Sequence, residues 1–250
     1  MLRMVLRDDQ WEKIEKLIPG KKGERGRPAA NNRQFLEAVI WIARTGSPWR
    51  DLPIEFGPWN TVYIRFARWS DKNVWHNIFA VLREDADFEE VYLDSTVVRA
   101  HQHAAGAAKK RGAQALGRSR GGLTTKIHVC VEGLGQAFSF ILTGGECHDV
   151  TQAEVLIRDI NPGAVLADKA YDADGLIFSI TDKNAKVVIP PKSNRKEQRE
   201  FDKQQYRNRN VIERFFARIK QFRRIATRYD KLASRFKSFF ALVASIEWLK

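Results

Sequence analysis

Cysteine is scarce in this 250-residue chain, which holds only Cys130 and Cys147. The two form no C-x-x-C pair, so neither a zinc module nor a disulfide framework is indicated, and a reducing cytoplasm is the expected setting. Long apolar runs are missing too. The longest, 239-FFALVASIEWL-249, is interrupted by Glu247 and falls short of the roughly 20 residues that a bilayer-spanning helix needs. It reads as a core helix. The opening MLRMVLRDDQWEKI lacks the apolar centre of a signal peptide, and no internal repeat or low-complexity tract occurs. Negative charge is in deficit: 30 Asp and Glu face 43 Lys and Arg, a net charge of +13. Such a balance is silent on fold but points to a polyanionic partner, and without a membrane segment nucleic acid is favoured over a lipid surface.

What is present is ample for a core, since 44% of the residues are hydrophobic. The basic excess is concentrated: Lys192 to Lys237 carries 16 Lys and Arg against 5 Asp and Glu. Inside that run Glu213 is the only acidic residue between Asp202 and Asp230. An isolated carboxylate among cations is either an ion-pair partner on a solvated helix or a group whose chemistry needs positive company.

The first third reads as helical. Asp8 or Asp9 is a candidate cap for a helix through Trp11, Ile14, Leu17 and Ile18, stopped by Pro19-Gly20. The basic loop 21-KKGERGRPAANNR-33 follows, then a helix from about Arg33 to Arg44, one over 59-WNTVYIRFARWS-70 and one from Asp71 to Leu82. The third carries Val62, Phe66 and Trp69 as a buried stripe, leaving Arg65 and Arg68 outside it. This is helix-turn-helix-like, with those arginines suited to phosphate and base-edge contacts. The predicted division is a helical DNA-binding domain over 1–84 and a second domain over 85–250.

At 90-EVYLDSTVVRA-100 the period changes to that of a strand, and 124-TTKIHVCVEG-133 and 136-QAFSFILTGG-145 continue as an antiparallel meander. A helix over 149–160, a buried strand over 163–171, a helix from Asp174 to Lys183, a strand over 185–191 and basic terminal helices complete the order. Three antiparallel strands, then alternating helix and strand, then helices match the ribonuclease-H-like fold, a mixed sheet with helices on both faces.

That order carries a chemical expectation. Asp94 lies within the first strand, and Asp168 closes a later one. In this topology those strands are neighbours, so the two carboxylates stand side by side, where mutual repulsion asks for a cation. Oxygen donors in a wet site suit magnesium, with manganese as the alternative. Farther on, Tyr206, Arg209, Glu213 and Lys220 share one arc of a helix whose opposite side holds Val211, Ile212, Phe215, Ile219 and Phe222. The plain reading of that arc is a solvated face on which Glu213 pairs with Arg209 four residues earlier.

Tyr206-x-x-Arg209-x-x-x-Glu213-x-x-x-x-x-x-Lys220 matches without a gap the Y-R-E-K signature of bacterial insertion-sequence DDE transposases. The stretches 92-YLDSTVVRAHQHAAGAAKK-110, 119-SRGGLTTKIH-128, 145-GECHD-149 and 167-ADKAYD-172 resemble further blocks of that family, and the likeness covers essentially the whole chain. It implies Asp94, Asp168 and Glu213 as catalytic, metal-holding acids. It also implies DNA contacts by Tyr206, Arg209 and Lys220, recognition of terminal inverted repeats by the helical domain, and strand cleavage followed by joining of the 3′-hydroxyl to target DNA. A homodimer in the DNA complex and a place on the bacterial nucleoid follow from the same likeness. Alternatives on the same fold are a magnesium nuclease that hydrolyses without joining and a non-catalytic DNA-binding regulator.

Secondary candidates are His101 and His103 after the first strand, His148 in the His-Asp pair, and Lys126 with His128 on one strand face along the DNA path. Asp149 reads as a helix cap. The stretch 117-GRSRGG-122 reads as a mobile phosphate-gripping loop. Some relatives carry a large insertion ahead of the glutamate helix, where their hairpin chemistry is supported. Here only Lys192 to Gln205 intervene, which leaves that pathway without a platform.

Overall fold

A computed structural model describes residues 5–21, 23, 29–106 and 112–250. Much of the basic loop 21–33 and part of the first-Asp block, 107–111, lie outside the described residues. In chain order the helices and strands are α1 (Asp8–Glu15), α2 (Asn32–Thr45), α3 (Trp59–Asp71), α4 (Val74–Leu82), β1 (Glu90–Ala100), β2 (Gly117–Ser119), β3 (Gly122–Val131), β4 (Ala137–Gly144), α5 (Val150–Leu156), β5 (Ala164–Ala167), α6 (Asp174–Asp182), β6 (Lys186–Val188), α7 (Lys203–Tyr206), α8 (Asn210–Ile219), α9 (Arg223–Ala226), β7 (Thr227–Arg228) and α10 (Ala233–Trp248). They divide into two compact units. One gathers Met1–Glu84, His101–Ala107 and Ile219–Lys250; the other gathers Asp85–Ala100 and Ala108–Arg218.

The first unit is helical. Asn31 caps α2 by accepting from the Gln34 amide at 2.8 Å, and Gly46 ends the helix with φ +71°, a left-handed turn that costs glycine nothing. Between those signals Phe35, Leu36, Val39, Ile40 and Ile42 are buried. The buried Glu37 on the same helix accepts from the amides of Val5 and Leu6, both at 2.8 Å, which ties the amino-terminal strap to α2. At α1 the expected cap is displaced: Arg7 holds the cap position, and Asp8 and Asp9 lie in the first turn. The apolar run 239–249 is the buried core of α10, as expected, with Phe239 against Phe66 at a ring separation of 4.5 Å. Arg235 joins it to Asp71 through two bonds of 2.7 and 2.9 Å.

In the second unit the strand order is β2-β3-β1-β5-β6, and β4 pairs with β3. The β1–β3 and β3–β4 ladders are antiparallel, whereas β1–β5 and β5–β6 are parallel. This is the mixed sheet that the order of elements predicts. One of its faces builds a core of Val91, Leu93, Cys130, Leu156, Val165 and Ile180 among others. The stretch 117–122 is not a loop alone: Gly117–Ser119 pairs with Leu123 and its neighbours, and Gly122 turns the hairpin at φ +91°. The connection ahead of α7 is fixed as well. Fully buried Asp172 accepts from Arg195 Nε at 2.5 Å, from Arg199 at 3.2 Å and from the Lys192 amide at 2.8 Å.

Candidate active site

The parallel ladder of β1 and β5 pairs Leu93 with Ala167. The next residue on each strand is the acid, so Asp94 and Asp168 leave neighbouring strands at the same level. The adjacency expected from topology is present. Asp168 turns one oxygen to its own chain, where Oδ1 accepts from the Ala170 amide at 2.8 Å and starts a short 3-10 turn over Lys169–Tyr171. Asp94 takes the Ser95 amide on Oδ1 at 2.7 Å and Arg209 Nη1 on Oδ2 at 3.4 Å, with 23% of its side chain exposed. Burial pushes its carboxyl up to about 6; the Ser95 amide and Arg209 oppose the rise, while Asp168 and Asp149 add to it.

Glu213 stands on the first turn of α8 with 55% of its side chain exposed. Its Oε1 accepts from Arg209 Nη2, the (i, i+4) pair of the plain reading. One guanidinium therefore touches both Asp94 and Glu213. The sequence predicts one helix through Tyr206 and Lys220, but the helix is broken: α7 ends at Tyr206, a 3-10 turn covers Arg207–Arg209, and α8 starts at Asn210. The break has a visible anchor. Glu90, at the start of β1, accepts from Gln205 Nε2 at 2.8 Å, from Asn208 Nδ2 at 3.2 Å and from the Tyr92 hydroxyl at 2.6 Å. That grip sets the 205–209 segment along β1, so Arg209 arrives opposite Asp94.

Sequence reasoning missed Asp149. It makes no side-chain cap bond to α5; instead its Oδ1 accepts from Ser95 Oγ at 2.6 Å and from Lys126 Nζ at 3.0 Å. Lys126 also donates to the Cys147 carbonyl at 2.6 Å, so its ammonium is committed inside the unit. His128, expected along the DNA path, has no exposed side-chain surface, and its Nε2 meets Thr143 Oγ1 at 2.8 Å. Burial holds its imidazole down at about 4, hence neutral. Alternation along β3 put Lys126 and His128 on one face correctly but could not say that the face is covered. Among the described residues the buried Tyr171 hydroxyl has no hydrogen-bond partner, and it lies in the field of Asp149, Asp94 and Asp168.

His148 is exposed beside this group, and Tyr206 packs edge-on against Phe201. Lys220, Arg65, Arg68 and His101 belong to the helical unit. There Lys220 is exposed just past α8. His101 stacks with His103 and Tyr229 at ring separations of 4.4 and 5.2 Å. Arg68 is exposed and lines a cavity of about 690 Å³ with Thr61 and Lys72. Arg65 is turned inward: its guanidinium lies 4.1 Å from the Phe35 ring centre and 4.9 Å from that of Trp69, and it donates to Asn32.

Among the described residues no three histidine, cysteine or acidic side chains converge closely enough to hold a metal ion. The donor chemistry nevertheless fits one. Two adjacent carboxylates supply hard oxygens, and among the described residues the one ion pair at either of them is that of Asp94 with Arg209. Glu213 completes the set only if it leaves Arg209.

A family model described as a transposase DDE domain matches residues 86–248. The chain belongs to this DDE transposase family. A second model, described as a putative transposase of the IS4/5 family, matches residues 6–79. A putative transposase for insertion sequence element IS6501 of Brucella ovis is 35% identical over 130 residues, covering 51% of this chain and all of the relative. An uncharacterized protein, y4sN, of Sinorhizobium fredii is 52% identical over 108 residues, covering 43% of this chain and 86% of the relative. Among solved structures, the piggyBac transposase in a synaptic complex with hairpin DNA superposes with a TM-score of 0.55 at 8% identity, covering 94% of this chain and 68% of that one. That likeness concerns the fold and supports the ribonuclease-H-like reading of this DDE transposase. No helix among the described residues is long and apolar enough to cross a membrane.

Proposed function

We propose that this DDE transposase binds the terminal inverted repeats of a bacterial insertion sequence, cuts DNA at the element ends and joins the freed 3′-hydroxyl to target DNA. The observation that carries this is the level placement of Asp94 and Asp168 by the β1–β5 ladder, with Glu213 joined to Asp94 through Arg209. Asp94, Asp168 and Glu213 are the residues that would hold divalent metal, magnesium or else manganese. Such ions, when bound, activate an attacking oxygen and stabilise the leaving oxygen of an in-line phosphoryl displacement.

The chain's own groups do the rest. Arg209 offers a planar fork to a phosphate near the scissile bond, and Lys220 offers a point charge. Tyr206, half-buried one turn before Arg209, flanks the same segment. Arg68, exposed on α3, contacts the repeat within the helical domain of residues 1–84. The net charge of +13 supplies the long-range attraction to DNA. Acting on two ends at once calls for a homodimer in the DNA complex, in the cytoplasm on the nucleoid.

The test is cleavage and strand transfer on a labelled duplex bearing an element end, with magnesium. Wild type is expected to cut and join. Asp94→Asn, Asp168→Asn and Glu213→Gln are expected to bind the duplex and do neither. A Glu213→Gln variant that still joins strands would sink the assignment of that residue.

A further inference from the structure

We propose that Arg209 is the internal counter-cation of the DNA-free site: its guanidinium holds Asp94 and Glu213 until a DNA phosphate draws it off, so that metal loading and DNA binding reinforce each other. The inference rests on the reading of Asp94, Asp168 and Glu213 as metal-holding acids.

Three observations carry it. First, the contact is two-sided. Nη1 of Arg209 lies 3.4 Å from Asp94 Oδ2 while Nη2 donates to Glu213 Oε1, so a single planar fork spans acids from β1 and α8. Lysine, a point charge without the planar fork, would hold the two acids less rigidly.

Second, this is the one ion pair of Asp94 among the described residues. The other charged groups around Asp94 do not replace it. Asp168 and Asp149 are negative, and Lys126 is spent on Asp149 and the Cys147 carbonyl. Third, the pair can open without disturbing the core. Arg209 retains 23% and Glu213 55% exposure, and Arg209 ends a 3-10 turn whose footing is Glu90 holding Gln205 and Asn208, not Arg209 itself.

Two consequences follow from competition. A divalent ion approaching the DNA-free site meets carboxylates already neutralised by a cation that shares their oxygens, and its apparent affinity is lowered. A phosphodiester offers both arms of the Arg209 fork oxygens on a single group, so one phosphate replaces two carboxylates and frees both acids together. By linkage, a metal that binds better with DNA present must tighten DNA by the same factor, typically about 5- to 150-fold for coupled sites. The chain off DNA is thereby kept from holding a loaded hydrolytic centre.

The experiment is Mn²⁺ binding to the full-length, DNA-free chain, followed by electron paramagnetic resonance of the free ion, for wild type, Arg209→Gln, Arg209→Lys and Asp94→Asn. Arg209→Gln is expected to bind about tenfold tighter than wild type, Arg209→Lys to fall between them, and Asp94→Asn to lose the site. Thermal melting guards against a folding artefact. Arg209→Gln should melt lower than wild type without metal and gain more from added Mn²⁺. If Arg209→Gln binds Mn²⁺ no tighter, or melts lower with no larger gain from the ion, the counter-cation role is overturned while the site reading stands. If Asp94→Asn binds Mn²⁺ as wild type does, the site reading itself fails, and this inference with it.

Discussion

Ser95 donates a 2.6 Å hydrogen bond from its hydroxyl to Asp149, 54 residues farther along the chain. The same Ser95 gives its amide to Asp94 Oδ1 at 2.7 Å, so Asp149 acts on Asp94 through one intervening residue. On the proposed role of Asp94 in holding metal, a partner of this kind orients a ligand carboxylate, and its loss costs roughly 10- to 100-fold in metal affinity or activity. Ser95→Ala and Asp149→Ala are therefore expected to lower the rate of strand transfer by that order, with the binding constant for the end duplex unchanged. Equal losses in binding and rate would show that Asp149 only supports the fold.

Asp172 gives a prediction about stability. Its carboxylate is fully buried and holds Arg195, Arg199 and the Lys192 amide. Burial would raise its pKa, but those donors more than offset the rise and keep it lowered. Removing the carboxylate leaves the Lys192 amide without this acceptor, while the partly exposed Arg195 and Arg199 keep Asp174 and the Ile189 carbonyl, at a cost of about 1–3 kcal/mol. Asp172→Ala should show that loss in urea unfolding, together with faster proteolysis within 192–199. An unfolding midpoint within error of wild type would contradict it.

Arg65 and Arg68 lie three residues apart on α3 and should part company. Arg65 packs over Phe35 and Trp69, so Arg65→Ala is expected to cost about 1–2 kcal/mol of stability through lost stacking and stem packing. Arg68→Ala removes an exposed cation and should leave the melting temperature unchanged. It should weaken duplex binding and reduce the salt slope by about one unit. The reverse pattern would mean that Arg65, not Arg68, faces the DNA.

His128 sets a pH dependence. Its imidazole is neutral in the fold at about 4, against 6.5 for a free histidine. The unfolded chain therefore binds the proton first on acidification: the stability is complete above about 6.5 and is lost as pH falls towards 4. The full effect is about 3 kcal/mol. His128→Gln should flatten the curve of unfolding free energy between pH 6.5 and 4 relative to wild type. Identical slopes would count against a buried neutral ring.

Much of this was legible because periodicity reports burial on one side of an element. The change of period at Glu90 marks β1, and the order of strands places Asp94 beside Asp168 before any coordinate is known. What stayed hidden depends on partners distant in sequence. The polar arc from Tyr206 to Lys220 gives no sign of a change at Arg207–Arg209, yet that segment is a 3-10 turn, flanked by the grip of Glu90 on Gln205 and Asn208. Lys126 and His128 look like any polar pair on a strand, and only the tertiary cover over β3 tells a buried pair from a solvated one. Asp149 sits where caps sit, just before α5, so its bond to Ser95 had no local signal. Gly117–Ser119 is too short for an alternation to register. The apolar run in α10 announces burial on every side, but not that Ile219–Lys250 groups with the amino-terminal helices.

The β1–β5 ladder also constrains which errors of replication the gene can survive. Side chains on a strand alternate between faces, so one codon gained or lost between Glu90 and Asp94 would turn Asp94 to the opposite face of the sheet while Asp168 stayed where it was. Neither acid would have changed identity, yet the pair would be gone. Glu90 doubles the penalty, because the same slip would pull Gln205 and Asn208 out of step with Asp94 and carry Arg209 with them. The number of residues from Glu90 to Asp94 is therefore as much a part of the site as the acids themselves.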